Sequence, residues 1–128
     1  MPGVTYDTGA LIAAERNDRR MWALHAGFLA EEVVPTVPAP VLAEAWRGGS
    51  RQASLARFLA LCAIESLTEQ QAKAVGALAG RADHDDLIVD VTVVEGAARR
   101  RDAIVTSNHT HISKIAHAAR TRLTIERI

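Results

Sequence analysis

Val4-Thr5-Tyr6-Asp7-Thr8-Gly9-Ala10-Leu11-Ile12-Ala13-Ala14-Glu15-Arg16 is the stretch on which the fold turns. Val4–Tyr6 has β-type residues, and Thr8–Glu15 suits a helix with Leu11 and Ile12 facing a core. Strand gives way to helix across one residue, with no hairpin signal between them. That is how a βα unit begins, and a strand so followed pairs with its successors in parallel. The hinge residue, Asp7, is an acid where the strand loses an apolar position. It reads equally as the N-cap of the helix or as a ligand-facing carboxylate, because parallel sheets collect ligands beyond the carboxyl ends of their strands.

Outward from that unit the alternation continues. Arg19–Glu31 places Trp22, Ala26 and Leu29 at helical spacing. Val33–Pro38 is extended, its prolines suiting a strand that ends early. Pro40 opens a helix to about Trp46, stopped by Gly48-Gly49. Arg51–Leu61 is expected to be helical and Ala63–Leu67 a strand. Thr68-Glu69-Gln70-Gln71 matches a capping box, with Gln71 reaching back, and opens a helix to about Ala79. Gly80–Asp85 is a polar loop, with Asp85 capping a helix over Asp86–Arg100. Ala103–Thr106 is a strand, Asn108–Ala119 a helix and Leu123–Ile128 a last strand. The expected fold is α/β over residues 1–128: a three-layer α/β/α sandwich on a mostly parallel central sheet of about five short strands.

The chain has 128 residues and a formal net charge of zero, with 15 acids and 15 Lys or Arg. That balance argues against broad nonspecific affinity for nucleic acid. Only Lys73 and Lys114 are Lys; the Arg excess fits either phosphate binding or genome composition. No apolar run nears the ~18–20 residues of a membrane span, and no basic-then-apolar leader stands at the start. The expected compartment is the cytoplasm, without a membrane partner. Cys62 is alone, excluding an intrachain disulfide and a cysteine zinc site, and it reads as a core residue.

Other acids stand in unusual company. Glu44 follows the second strand by one helix. Asp90 lies among Val89, Val91, Val93 and Val94, where an uncompensated carboxylate costs several kcal/mol. Asp86 precedes it by one helical turn, on the same face, so the two repel by ~0.2–0.5 kcal/mol unless a cation joins them. Mg²⁺ is such a cation, needing only one or two carboxylates besides water and phosphate. His84, His109 and His111 stand near these acids, although His109 and His111 cannot face one way on a helix. His25 and His117 read as surface, and Trp22 and Trp46 as core or interface.

At these residues the chain resembles the PIN-domain ribonucleases, in particular the VapC-type toxins of bacterial toxin–antitoxin pairs. Val4–Ile12 is similar to their opening strand, which ends on Asp followed by Thr or Ser. Val41-Leu42-Ala43-Glu44-Ala45-Trp46-Arg47-Gly48-Gly49 matches the Glu that follows a Pro- or Thr-bearing strand end. The third family acid opens an Asp-x-x-[Ile/Val] helix, which Asp85, Asp86 and Asp90 all satisfy. In the family it precedes the threonine of a Val-Thr-x-[Asp/Asn] strand end by about sixteen residues. Asp90 stands sixteen residues before Thr106 of Val105-Thr106-Ser107-Asn108. The fourth family acid is here Asn108, which adds no charge.

The resemblance implies metal-assisted hydrolysis of RNA phosphodiesters, with Asp7, Glu44, Asp90 and Asn108 catalytic. Asp7 and Asp90 would bind Mg²⁺ or Mn²⁺, supported by Thr8, Asp86 and Ser107, and Arg47 would touch substrate. Arg99-Arg100-Arg101 suits either a helix C-terminus or RNA phosphate. It also implies a VapB-type antitoxin partner, a toxin–antitoxin hetero-oligomer, and a homodimer that uses the early helices around Trp22. Two other readings stand beside it. One is a PIN-like binding module that has lost catalysis through Asn108. The other is a receiver-like Mg²⁺ domain, disfavoured because no Lys stands near a strand end.

Overall fold

In the computed structural model, which describes residues 3–82 and 88–128, every sheet pairing is parallel. The chain runs β1 (Val4–Tyr6), α1 (Thr8–Glu15), α2 (Arg19–Ala30), β2 (Thr36–Pro38), α3 (Ala39–Ala45) and α4 (Ala53–Leu59). It continues through β3 (Ala63–Glu65), α5 (Glu69–Ala82), α6 (Ile88–Arg100), β4 (Ala103–Thr106), α7 (His109–Ala118) and β5 (Ile125–Arg127). The strand order is β3-β2-β1-β4-β5, so the expected α/β sandwich on a parallel sheet is the observed one. No described helix is long and apolar enough to cross a membrane.

The order has a mechanical consequence. From β1 the chain steps outward through β2 and β3, then returns to the other side of β1 for β4 and β5. The reversal lies between β1 and β4, where the connections leaving the two carboxyl ends part and leave a crevice. Tyr6 pairs with Val105, and the amide of Asp7 donates to the Val105 carbonyl, so Asp7 and Thr106 close the two strands side by side.

The core explains the helices that cover this sheet. Val91, Thr92, Val93, Val94, Gly96 and Ala97 are all buried in α6. A helix apolar on nearly every side is one enclosed by its neighbours, here β1, β2, β4 and helices α5, α3 and α7. The valine run therefore forms a helix despite its β-type residues, with the Thr92 hydroxyl donating to the Ile88 carbonyl. Below the sheet's centre, Tyr6 meets Phe58 at 5.2 Å and Phe28 at 6.4 Å between ring centroids.

Several local expectations are corrected. In α1, Leu11 is buried but Ile12 is exposed, because the inward stripe is Ala10, Leu11 and Ala14. In α2 the buried positions are Met21 and His25, while Ala26 is exposed and Trp22 and Leu29 only half-buried. His25 is therefore interior, not surface: its Nδ1 lies 2.9 Å from the Tyr6 hydroxyl, and its ring stacks on Phe58 at 3.9 Å. Hydropathy treats histidine as polar and misses a face turned inward by one hydrogen bond.

Thr68 caps α5 by accepting from the Gln71 amide, but the Gln71 side chain donates to Glu65 and Glu95 instead of reaching back. α5 runs through Gly80 to Ala82, so the loop starts later than Gly80. The segment Arg51–Leu61 is a 3-10 turn (Ser50–Gln52) followed by the short α4, and β3 and β5 are each three residues. Asn108 stands outside α7 as its N-cap. Cys62 is only half-buried, and Trp46 is exposed. His84, Asp85 and Asp86 lie outside the described residues.

Candidate metal centre

Acids that are far apart in the chain come near enough to feel one another: Asp7 feels the charge of Asp90, and Asp90 that of Glu44. Asp7 ends β1 and is buried. Its Oδ1 accepts from the Ala10 amide at 2.9 Å, capping α1, so the cap role and the site role fall on one residue. Burial pushes the Asp7 carboxyl up to about 6; the Asp90 charge adds to the push, while hydrogen bonds from Thr106, Ala10 and Gly9 hold against it. Asp90 sits in the first turn of the described part of α6. Its own carboxyl is raised by burial, lowered by His111 and raised again by Glu44. The electrostatic chain thus runs Asp7, Asp90, Glu44, with Asp90 in the middle. Glu44 itself is exposed on α3.

Around the acids stand small hydroxyls. Thr8 Oγ1 is buried with no hydrogen-bond partner among the described residues. Ser107 packs on Gly9 so closely that a Cβ at Gly9 would collide with its Oγ and lie 3.3 Å from Asp7 Oδ1. Glycine is required there by contact, since nothing larger fits between the β4 end and the Asp7 carboxylate. Thr106 binds on both sides: its Oγ1 accepts from the Asn108 amide at 2.8 Å, and its hydroxyl serves Asp7.

Not every expected residue faces the acids in the same way. The Asn108 Oδ1 accepts from the His111 amide at 3.3 Å, as a helix cap. Arg47 folds over the end of α3, its guanidinium donating to the carbonyls of Ala43 and Trp46. Arg99 and Arg100 pair with Glu65, Glu95 and Asp102, so two of the three consecutive arginines are structural. Two residues carry more than the sequence reading gave them. Thr106 was only a spacing marker, and its signal was its place beside Asp7 once β1 and β4 pair. His111 has Nε2 3.1 Å from Asp90 Oδ2; its signal was the position three residues after the Asn108 cap.

Among the described residues, no group of three or more His, Cys, Asp or Glu side chains is placed to hold a metal ion on its own. What the crevice offers is two desolvated carboxylates, a third that is exposed, and hydroxyl and imidazole donors. Such a set can bind a cation that brings its own water, or keep one carboxyl protonated near neutral pH.

No protein-family model and no curated protein matches the chain. In three dimensions it is similar to the crystal structure of VapBC2 from Rickettsia felis bound to a DNA fragment from their promoter. The TM-score is 0.73 at 18% identity, and the match covers 98% of this chain and 98% of that one. At that identity the likeness is one of fold.

Proposed function

We propose that the protein is a metal-dependent endoribonuclease acting as the toxin of a VapBC-type pair. The observation that supports this reading is that Asp7, at the end of β1 where the sheet reverses direction, feels the charge of Asp90, which in turn feels that of Glu44. The Asp7 and Asp90 carboxyls, each raised by burial, are costly to ionise together without a cation. A likeness of fold to a VapBC2 structure supports the same reading.

The donor set suits Mg²⁺ or Mn²⁺: oxygen ligands, among them the buried Asp7 and half-buried Asp90 carboxylates, with the orphaned Thr8 hydroxyl next to Asp7 in the chain. Asp7 and Asp90 would hold the ion, with Asp86 a further candidate. When bound, the ion would lower the pKa of a water and neutralise the scissile phosphate. Glu44 would complete the shell or take the proton from that water. Ser107 and Thr8 would place hydroxyls against ligand or phosphate, Asn108 would orient through its amide, and Arg47 would meet RNA by swinging off α3. A homodimer and a complex with a VapB-type antitoxin complete the proposal.

The test is cleavage of folded RNA by purified protein with Mg²⁺ or Mn²⁺, with chelator, and by Asp90→Asn. Metal-dependent cleavage lost in the variant is expected. One observation favours a second reading, a binding module without catalysis: the Asn108 amide oxygen is already committed to capping α7. A protein that shows no heat of Mn²⁺ binding, yet still binds its partner, would select it.

A further inference from the structure

Away from the acid crevice, a groove of about 630 Å³ is lined by Arg81, His117, Ala118, Arg120, Thr121 and Arg122. Among the described residues it has three arginines, one histidine and no acid. None of the four cationic side chains makes an ion pair or side-chain hydrogen bond among the described residues. That sets them apart from Arg99 and Arg100, which are tied to acids. A cation near a helix C-terminus is ordinarily explained by the helix dipole, and that account would serve Arg81 or His117 singly. It does not explain why the end of α5, the end of α7 and the segment leading to β5 turn their cations into one groove. Arg122 also lines an adjoining hollow of about 280 Å³ together with Arg101 and Asp102, whose carboxylate is paired with Arg100.

We infer that this groove binds the phosphate backbone of single-stranded RNA outside the cleavage site. The inference rests on the nuclease reading for the identity of the ligand. In a chain of zero net charge, general attraction cannot bring a polyanion to an acidic crevice, so local arginines must do so. Guanidinium groups suit phosphate oxygens, which they can meet with two parallel hydrogen bonds. α7 joins the two places: its first turn carries His111 beside Asp90, and its last turn carries His117 into the groove. A ten-residue helix is about 15 Å long, within the reach of the ~4–16 nucleotides that a single-strand binding surface usually tracks.

The test is fluorescence anisotropy with a labelled oligouridylate of ~12 nucleotides, in chelator so that nothing is cut, over a series of salt concentrations. Arg120→Gln/Arg122→Gln should bind roughly tenfold or more weakly. Its salt dependence should be shallower by roughly 0.7 in log–log slope for each charge removed. Arg16→Gln/Arg19→Gln removes the same charge from exposed positions elsewhere and should leave affinity and slope unchanged. Equal losses in both double variants, no loss in the groove variant, or no RNA binding by the parent would each overturn the inference. So would groove-dependent binding of polyglutamate in place of RNA, which would make the groove a site for an acidic protein segment. Cleavage with metal is read separately. A parent that cuts RNA while the groove variant binds as well as it does refutes the groove alone. Groove-dependent binding without cleavage refutes the nuclease alone.

Discussion

His111 Nε2 lies 3.1 Å from Asp90 Oδ2, so one oxygen of that carboxylate already has an imidazole of the chain's own against it. The imidazole and a divalent ion would compete for that oxygen. His111→Gln should therefore tighten Mn²⁺ binding by Asp90. Calorimetric titration of the parent and the variant checks this. Weaker binding by the variant would make His111 a ligand instead.

Asp7 gives a stability prediction with a definite sign. Its carboxyl is raised by burial to about 6, against ~3.9 in an unfolded chain. Its contribution is thus fully present below pH ~4 and lost as pH rises through 6, a difference of roughly 3 kcal/mol. Asp7→Asn keeps a good cap for α1 and removes the charge. Without metal, the variant should be more stable than the parent by up to ~3 kcal/mol at pH 7.5 and equal to it near pH 4. It should not cleave RNA. Denaturant melts at both pH values in chelator decide the matter; a variant less stable than the parent at pH 7.5 contradicts it.

His25 pulls the other way. Burial lowers its pKa below the ordinary 6.5, against a weaker opposing hydrogen bond at Phe58. An unfolded chain therefore takes up a proton that the fold refuses, and stability falls as pH drops below ~6.5. His25→Phe should flatten that acid-side fall. It should also cost about 1–3 kcal/mol at pH 7.5, because the Tyr6 hydroxyl loses its buried partner. An unchanged acid limb in thermal melts would show that His25 is not the group responsible.

Four residues other than glycine occupy the left-handed region at helix ends: Asn17, Glu32, Arg101 and Arg120. Glu32, with φ of 62°, is exposed after α2 and makes no side-chain contact among the described residues. Glu32→Gly should relieve about 1 kcal/mol of strain and raise the melting temperature by roughly 3–4 °C. A fall in melting temperature would mean that the loss of backbone restraint outweighs the relief.

The readable parts of this protein obey local rules. Asp7 after Val4–Tyr6, Pro40 opening α3 and Thr106 closing β4 each follow from what neighbouring residues permit. The parallel sheet followed in turn from their alternation. What could not be read depends on which strands become neighbours. Thr106 matters because β4 pairs with β1 rather than β5 alone, and His25 is interior because α2 turns it toward Tyr6. His111 stands beside Asp90 only once α6 and α7 are packed together. The Asn108 cap was not read from the sequence, which put Asn108 inside the helix and in the place of the fourth acid.

The pairing of Thr5 with Ile104 also sets when the crevice can exist. A ribosome adds about 5–20 residues per second, so roughly 5–20 s pass between the making of the two strands. During that interval β1 can pair with β2, yet one of its edges stays bare and Asp7 has neither Thr106 nor Ser107 against it. Parallel contacts over such sequence distances also form slowly. A chain cut short before Ala103 would keep Asp7, Glu44 and Asp90 in its sequence but have no β4 to close the floor beneath them. Whatever the crevice does begins only when the chain is nearly finished.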